Sequence, residues 1–145
     1  MIHTIVDDPG SMTPTALQQR YETELRETVE EVGAETVTER TDLDQKQTEA
    51  ILSESSTLAD ELSLMDAAAV FALRDGAPDA ETVEAEARDV LLLGMTSAVL
   101  DVDTLEGEVD GQIEARAIQQ KIEGRSPMTL GEFVLLQQTI EERML

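Results

Sequence analysis

The sequence predicts an all-α protein, a compact bundle of about six or seven helices, and three observations carry that reading. Apolar residues recur every three to four positions along most of the chain, no stretch alternates as a strand does, and capping residues stand where the periodic stretches begin. Among 145 residues there is no cysteine, so the core must form by apolar packing alone. An apolar content of 41% with only Tyr21, Phe71 and Phe133 as aromatics makes that core aliphatic.

Residues 1–12, with His3, Asp7, Asp8, Pro9 and Gly10, show no periodicity and read as a flexible N-terminal arm, either loose or laid across the body. Thr13 followed by Pro14 opens the first helix, in which Leu17, Tyr21, Leu25, Val29 and Val32 repeat until Gly33 stops it. A short second helix spans 34–40, a tight turn 41–43, and a third helix 44–53 with Ala50 and Ile51 inward. After a polar loop, Ser63 with Asp66 three residues on opens a fourth helix over 64–73. Asp79 caps the longest helix, running to about residue 100, with Val83, Ala87, Val90, Leu91, Gly94, Met95, Ala98 and Val99 on a broad apolar side. Leu91, Leu92 and Leu93 in succession imply packing on two sides, within the chain or against a second copy, and Gly94 permits a close approach. Residues 101–111 read as polar and turn-rich. A helix over 114–123 ends at Gly124, and Thr129 with Glu132 caps a last helix to about residue 144.

The chain thus divides into the arm at 1–12, a helical half at 13–76 and a second half at 77–145. Ile51, a loop, then Ser63, Leu64 and Asp66 is echoed by Ile122, a shorter loop, then Thr129, Leu130 and Glu132. Two related halves explain the echo, and so does chance recurrence of a capped helix.

Thirty-two acids against ten bases give a formal charge of −22. Such a surface repels itself at low ionic strength, whereas at molar salt the screening length shrinks to about 3 Å and the repulsion is muted. Lysine stands only at 46 and 121, and arginine appears eight times. The composition therefore points to a protein of salt-rich cytoplasm. No apolar run approaches the roughly 18 to 20 residues that cross a bilayer, and the N-terminus lacks the basic and apolar regions of a signal peptide. A cytoplasmic location without membrane contact is the expectation.

The charge is uneven. Residues 112–145 hold five acids and four bases, so the other 27 acids and six bases all precede them. In that acid-poor quarter Arg116, Gln119, Gln120, Lys121 and Arg125 lie on or beside one helix, and two readings stand. They form a contact surface for protein or nucleic acid, or Lys121 and Arg125 complement the helix C-terminus and pair with Glu114 and Glu123.

No catalytic signature stands out: no glycine-rich phosphate loop, no serine elbow and no nucleophile beside a base. An enzyme is not expected, nor is a cofactor. Asp101, Asp103 and Glu106 open like a calcium loop, but Leu105, Glu106 and Gln112 occupy positions that need a ligand, a glycine and a bidentate glutamate. His3 has no partner histidine, so no specific metal is expected.

Residues 34–53 have the layout of a helix-turn-helix, with Val37, Leu43 and Ile51 placed to pack two short helices together. On those residues the chain resembles the lambda-repressor-like helix-turn-helix class, with 64–73 as its fourth helix. Asp42 stands where that class usually has glycine, and Thr41 and Thr48 where it usually has aliphatic residues. The resemblance implies a DNA-facing third helix presenting Gln45, Lys46 and Gln47, flanked by the carboxylates Asp44 and Glu49. Over most of its length, on stretches such as VGAETVTERTDLD at 32–44, LLLGMTSAVLDVD at 91–103 and IQQKIEGRSPMTL at 118–130, the chain also resembles a group of short, acidic, uncharacterised proteins of salt-loving archaea. That resemblance implies a habitat and no activity.

The function expected from these observations is a non-catalytic regulatory or adaptor protein acting through protein contacts. A homodimer through Leu91, Leu92, Leu93 and Met95 is the expected form of contact, and a DNA-binding regulator of helix-turn-helix type is the alternative.

Overall fold

Most helices of this chain begin where a side-chain oxygen takes up a free backbone N–H. The computed structural model describes residue 2 and residues 5–144, and His3 lies outside them. Among the described residues nine α-helices follow one another: α1 (Pro14–Val32), α2 (Ala34–Arg40), α3 (Gln45–Leu52), α4 (Leu58–Glu61), α5 (Leu64–Phe71), α6 (Ala80–Ala98), α7 (Val102–Glu108), α8 (Ala115–Ile122) and α9 (Leu130–Arg143). The fold is all-α, as the periodicity predicts. Six helices carry a side-chain cap, with Thr13, Asp44, Ser63, Asp79, Asp101 and Thr129 each accepting from the backbone N–H three residues on at 2.8–3.1 Å. Each such bond stabilises its helix by about 1 kcal/mol.

Two of the nine, α4 and α7, stand where the sequence reads as polar loop or turn. Asp101 caps α7, whose Leu105 is fully buried, and α4 buries Leu58 and Ala59. One or two apolar anchors per turn hold these short helices to the core, too few to register as a period.

α9 is the axis of the molecule. It packs against α1, α4, α5, α6, α7 and a 3-10 turn at Pro9–Ser11. Leu130, Phe133, Val134, Leu136 and Ile140 are buried on it, and so are Gln137, Gln138 and Thr139. Each of those polar groups has a partner: Tyr21 donates its hydroxyl to Gln137 Oε1 at 2.6 Å, Gln138 donates to the Met12 carbonyl at 3.0 Å, and Thr139 donates to the Leu135 carbonyl at 2.7 Å. Burial pushes the Tyr21 hydroxyl pKa up, so that group stays a donor.

Among the described residues of the N-terminal arm, several lie against the body. Ile2, Val6, Pro9 and Gly10 are buried, and a Cβ on Gly10 would stand 2.7 Å from the backbone of Glu141. Only glycine lets the 3-10 turn settle on α9 there. Gly94 serves the same purpose between α6 and α9, since a Cβ on it would meet Ile140 Cγ2 at 2.7 Å.

Arg74, just beyond α5, ties that end to α1. Its guanidinium donates to Thr28 Oγ1 at 2.8 Å and to Glu24 at both carbonyl and carboxylate, while its Cζ lies 4.9 Å from the centre of the Phe71 ring. The two caps of the sequence echo also meet, as Ser63 and Thr129 face each other across an isolated antiparallel bridge.

The end of α6 is strained. Leu100 N–H reaches the Met95 carbonyl at 2.9 Å and Val99 N–H the Thr96 carbonyl at 3.3 Å, a helix ending that places Val99 at φ 56°, ψ 51°. Glycine suits that position, and a β-branched residue is an outlier there, with a penalty on the order of 1–2 kcal/mol. Val99 is nevertheless 90% exposed.

Candidate functional site

α6 sorts its leucines by helical angle. Val83, Ala87, Leu91, Gly94 and Met95 point into the core against α5 and α9, whereas Leu92 is 53% and Leu93 66% exposed. Leu91 and Met95 therefore leave the expected dimer surface, because they continue the inward stripe of Ala87 at spacings of four and eight. Leu92, Leu93, Thr96, Ser97 and Val99 form the outer face, with half-exposed Met144 beside Gly94 at its edge. No charged residue occurs from 90 to 100, and Asp89 and Asp101 bracket the stretch. In a chain of −22 this is an apolar face with its own boundary.

The acid-poor quarter divides in two. Part of it is α9, whose surrounded middle, residues 133–140, carries no carboxylate because an unpaired buried charge is costly, while its ends keep Glu132, Glu141 and Glu142, three of the quarter's five acids. Burial accounts for the uncharged stretch 133–140 alone, and residues 112–131, with only Glu114 and Glu123, are acid-poor without it. The remainder is α8, which buries Ile118 and Ile122 and exposes Arg116 and Gln119, with Gln120 half-buried and Arg125 exposed beyond the helix.

Lys121 is not part of that surface. Its ammonium donates to Glu132 Oε1 at 3.1 Å and to the Pro127 carbonyl at 3.0 Å, with the side chain 14% exposed. Glu132 in turn accepts from Thr129 N–H, so Lys121 locks the reciprocal cap that starts α9. Its partner is neither Glu114 nor Glu123. The C-terminus of α8 is instead held by Arg88 of α6, which donates to the Lys121 carbonyl and, at 3.1 Å, to Glu84. Nothing in the local pattern around Arg88 announces a contact 33 residues away.

α2, residues 41–44 and α3 form a short helix pair in which Val37, Leu43, Thr48 and Ile51 are buried. Asp42, standing where the helix-turn-helix class usually has glycine, does not adopt a positive φ. Thr41 closes the turn differently, donating its hydroxyl to the Val37 carbonyl and accepting from Leu43 N–H at 3.2 Å. Of the DNA-facing residues, Gln45 and Lys46 are exposed. Gln47 is occupied in the cap of α3, where its Oε1 accepts from Asp44 N–H at 2.9 Å. An open groove of about 510 Å³ lies between α2 and α3, lined by Ala34, Glu35, Thr38, Gln45, Thr48 and Glu49. Its two threonine hydroxyls donate to the carbonyls of Glu35 and Asp44. The would-be calcium loop is helix α7, with Asp101 spent as its cap.

Residues 17–143 match the model of DUF5791, a family of unknown function. The chain belongs to the DUF5791 family. The match takes in all of α2 to α9, including the α6 face and the α8 surface, and leaves the 3-10 turn at Pro9–Ser11 outside. No curated protein and no solved structure matches the chain. Among the described residues no helix of this DUF5791 member is long and apolar enough to cross a membrane.

Proposed function

We propose that this protein is a non-catalytic adaptor or regulator that acts through protein contacts in a salt-rich cytoplasm. The observation that carries the reading is the outer face of α6, where Leu92, Leu93 and Val99 stand exposed on a stretch free of charge. A helix face turned to water keeps large apolar groups at a cost in solubility, and contact with another surface removes that cost. The salt-rich setting is supported by the charge of −22, against which the described residues supply six ion pairs.

The test is affinity capture in multimolar KCl with the wild-type chain and Leu93→Glu as baits, reading both protein and DNA. Loss of a specific protein with the variant supports the reading. Identical capture by both baits overturns it.

DNA binding is the second reading, favoured by one observation: Gln45 and Lys46 are exposed on the first turn of α3, and Lys46 has no ion pair among the described residues. Against it, Asp44, Glu49 and Glu61 surround Lys46, and phosphate is repelled by that set. DNA recovered by the wild-type chain and lost with Lys46→Glu favours this second reading over the first.

A further inference from the structure

We propose that the outer face of α6 seats the same face of a second copy of this chain, the two α6 helices meeting about a two-fold axis. The inference rests on the reading of that face as a protein contact and names its occupant.

The first argument is charge. Two chains of −22 repel one another over nearly any pair of surfaces, and residues 90–100 offer a stretch of exposed helix where neither copy presents a charge. A basic partner would be drawn to the carboxylate-rich faces instead. Thr96, the polar centre of the patch, already donates its hydroxyl to the Leu92 carbonyl at 3.2 Å. The partner surface must therefore be neutral and apolar, and a second α6 presents such a surface by construction in an isologous contact.

The second argument is Val99. Its left-handed conformation is one that glycine adopts without strain, yet the branched side chain stands 90% exposed and gains almost no packing within its own protomer. A strained residue with no internal compensation points outward for its contact. It stands three residues beyond Thr96 and seven beyond Leu92, which extends the apolar stripe to the end of the helix.

Half a helix is less than the roughly 800 Å² per partner of a standard interface, so the dimer is reversible and concentration-dependent. High salt favours it, by screening the repulsion and strengthening apolar association.

The experiment is sedimentation equilibrium of the full chain in multimolar KCl across a concentration series, with Leu93→Glu and Val99→Gly alongside and thermal unfolding of each at the dilute end. The wild-type mass should rise from 15.9 kDa towards twice that value. Leu93→Glu should stay monomeric. Val99→Gly should self-associate about tenfold more weakly while unfolding at a higher temperature as a dilute monomer, opposite signs that a merely structural Val99 does not produce. A wild-type chain that stays at 15.9 kDa throughout, or variants that associate as it does, overturns the second copy. If that happens while Leu93→Glu still loses a captured protein, the contact reading survives with another partner; if capture is unchanged as well, both fall.

Discussion

Ser63 and Thr129, 66 positions apart, lie opposite each other in an antiparallel bridge, and each caps the helix that leaves it. Leu64 N–H reaches the Met128 carbonyl at 2.7 Å and Leu130 N–H the Leu62 carbonyl at 2.8 Å, so the entries to α5 and α9 are clamped side by side. Two caps thus fix the relative placement of two core helices as well as their starting points. Substituting either residue with alanine keeps the backbone bridge and removes one cap. Ser63→Ala and Thr129→Ala should each cost about 1 kcal/mol in urea unfolding at constant molar KCl. A change within error of zero for both would mean that the caps hold nothing.

Gly94→Ala should destabilise the fold by about 1–3 kcal/mol, the usual range for overpacking, because Ile140 must move to admit the new methyl group. A helix interior normally gains from this exchange. A stabilised Gly94→Ala variant would show that α6 and α9 are not in close contact.

Arg74 is the cation with the most partners, and its Glu24 carboxylate is only 15% exposed. Arg74→Met removes the guanidinium that lies over Phe71 and takes a donor from Thr28 and from Glu24 Oε2, while Glu24 Oε1 keeps its pair with Arg20 at 3.0 Å. A loss of about 1.5–3 kcal/mol is expected, and it should persist at high salt because partly buried pairs are screened little. Equal stability of variant and wild type in multimolar KCl would show that the network is a surface pairing.

The carboxyls make opposite demands on pH. Burial raises the pKa of Glu22 and of Asp66, and Asp60 and Asp42 respectively add to the effect. Such groups take up protons in the folded chain before the unfolded one, so stability rises as pH falls through their folded values. Asp79 and Asp101 are lowered by the Thr82 and Thr104 N–H groups they accept from, so their contribution is full above the ordinary value of 3.8 and is lost as pH falls through their folded values. Stability followed by urea unfolding should therefore peak in mildly acid solution, above 3.8, and decline towards neutrality. A curve that climbs steadily to pH 7 would contradict this.

Much of the fold is legible in the residues that begin helices. Thr13, Ser63, Asp79 and Thr129 act as caps because a short polar side chain before an apolar period has one local solution, and α2 spans the predicted 34–40. The short α4 and α7 escape notice since their stability is borrowed from tertiary contact through Leu58 and Leu105. α9 misleads for a related reason: Gln137, Gln138 and Thr139 look like surface until Tyr21 and Met12 supply partners from far along the chain. In the α6 face, the separation of Leu91 from Leu92 and Leu93 is contained in the spacing from Val83 and Ala87. Lys121 is not decided by spacing, because its choice of Glu132 over Glu114 and Glu123 depends on how the 123–129 loop turns back.

In the proposed salt-rich setting, dissolved ions mask the 32 acids and let the chain stay folded. The direct measurement is unfolding free energy as KCl is lowered from multimolar to near zero at neutral pH, followed by circular dichroism. Stability should fall steeply as the screening length grows from about 3 Å past 10 Å, with helix content lost before salt is exhausted. A chain equally stable at both ends of that range would contradict the claim.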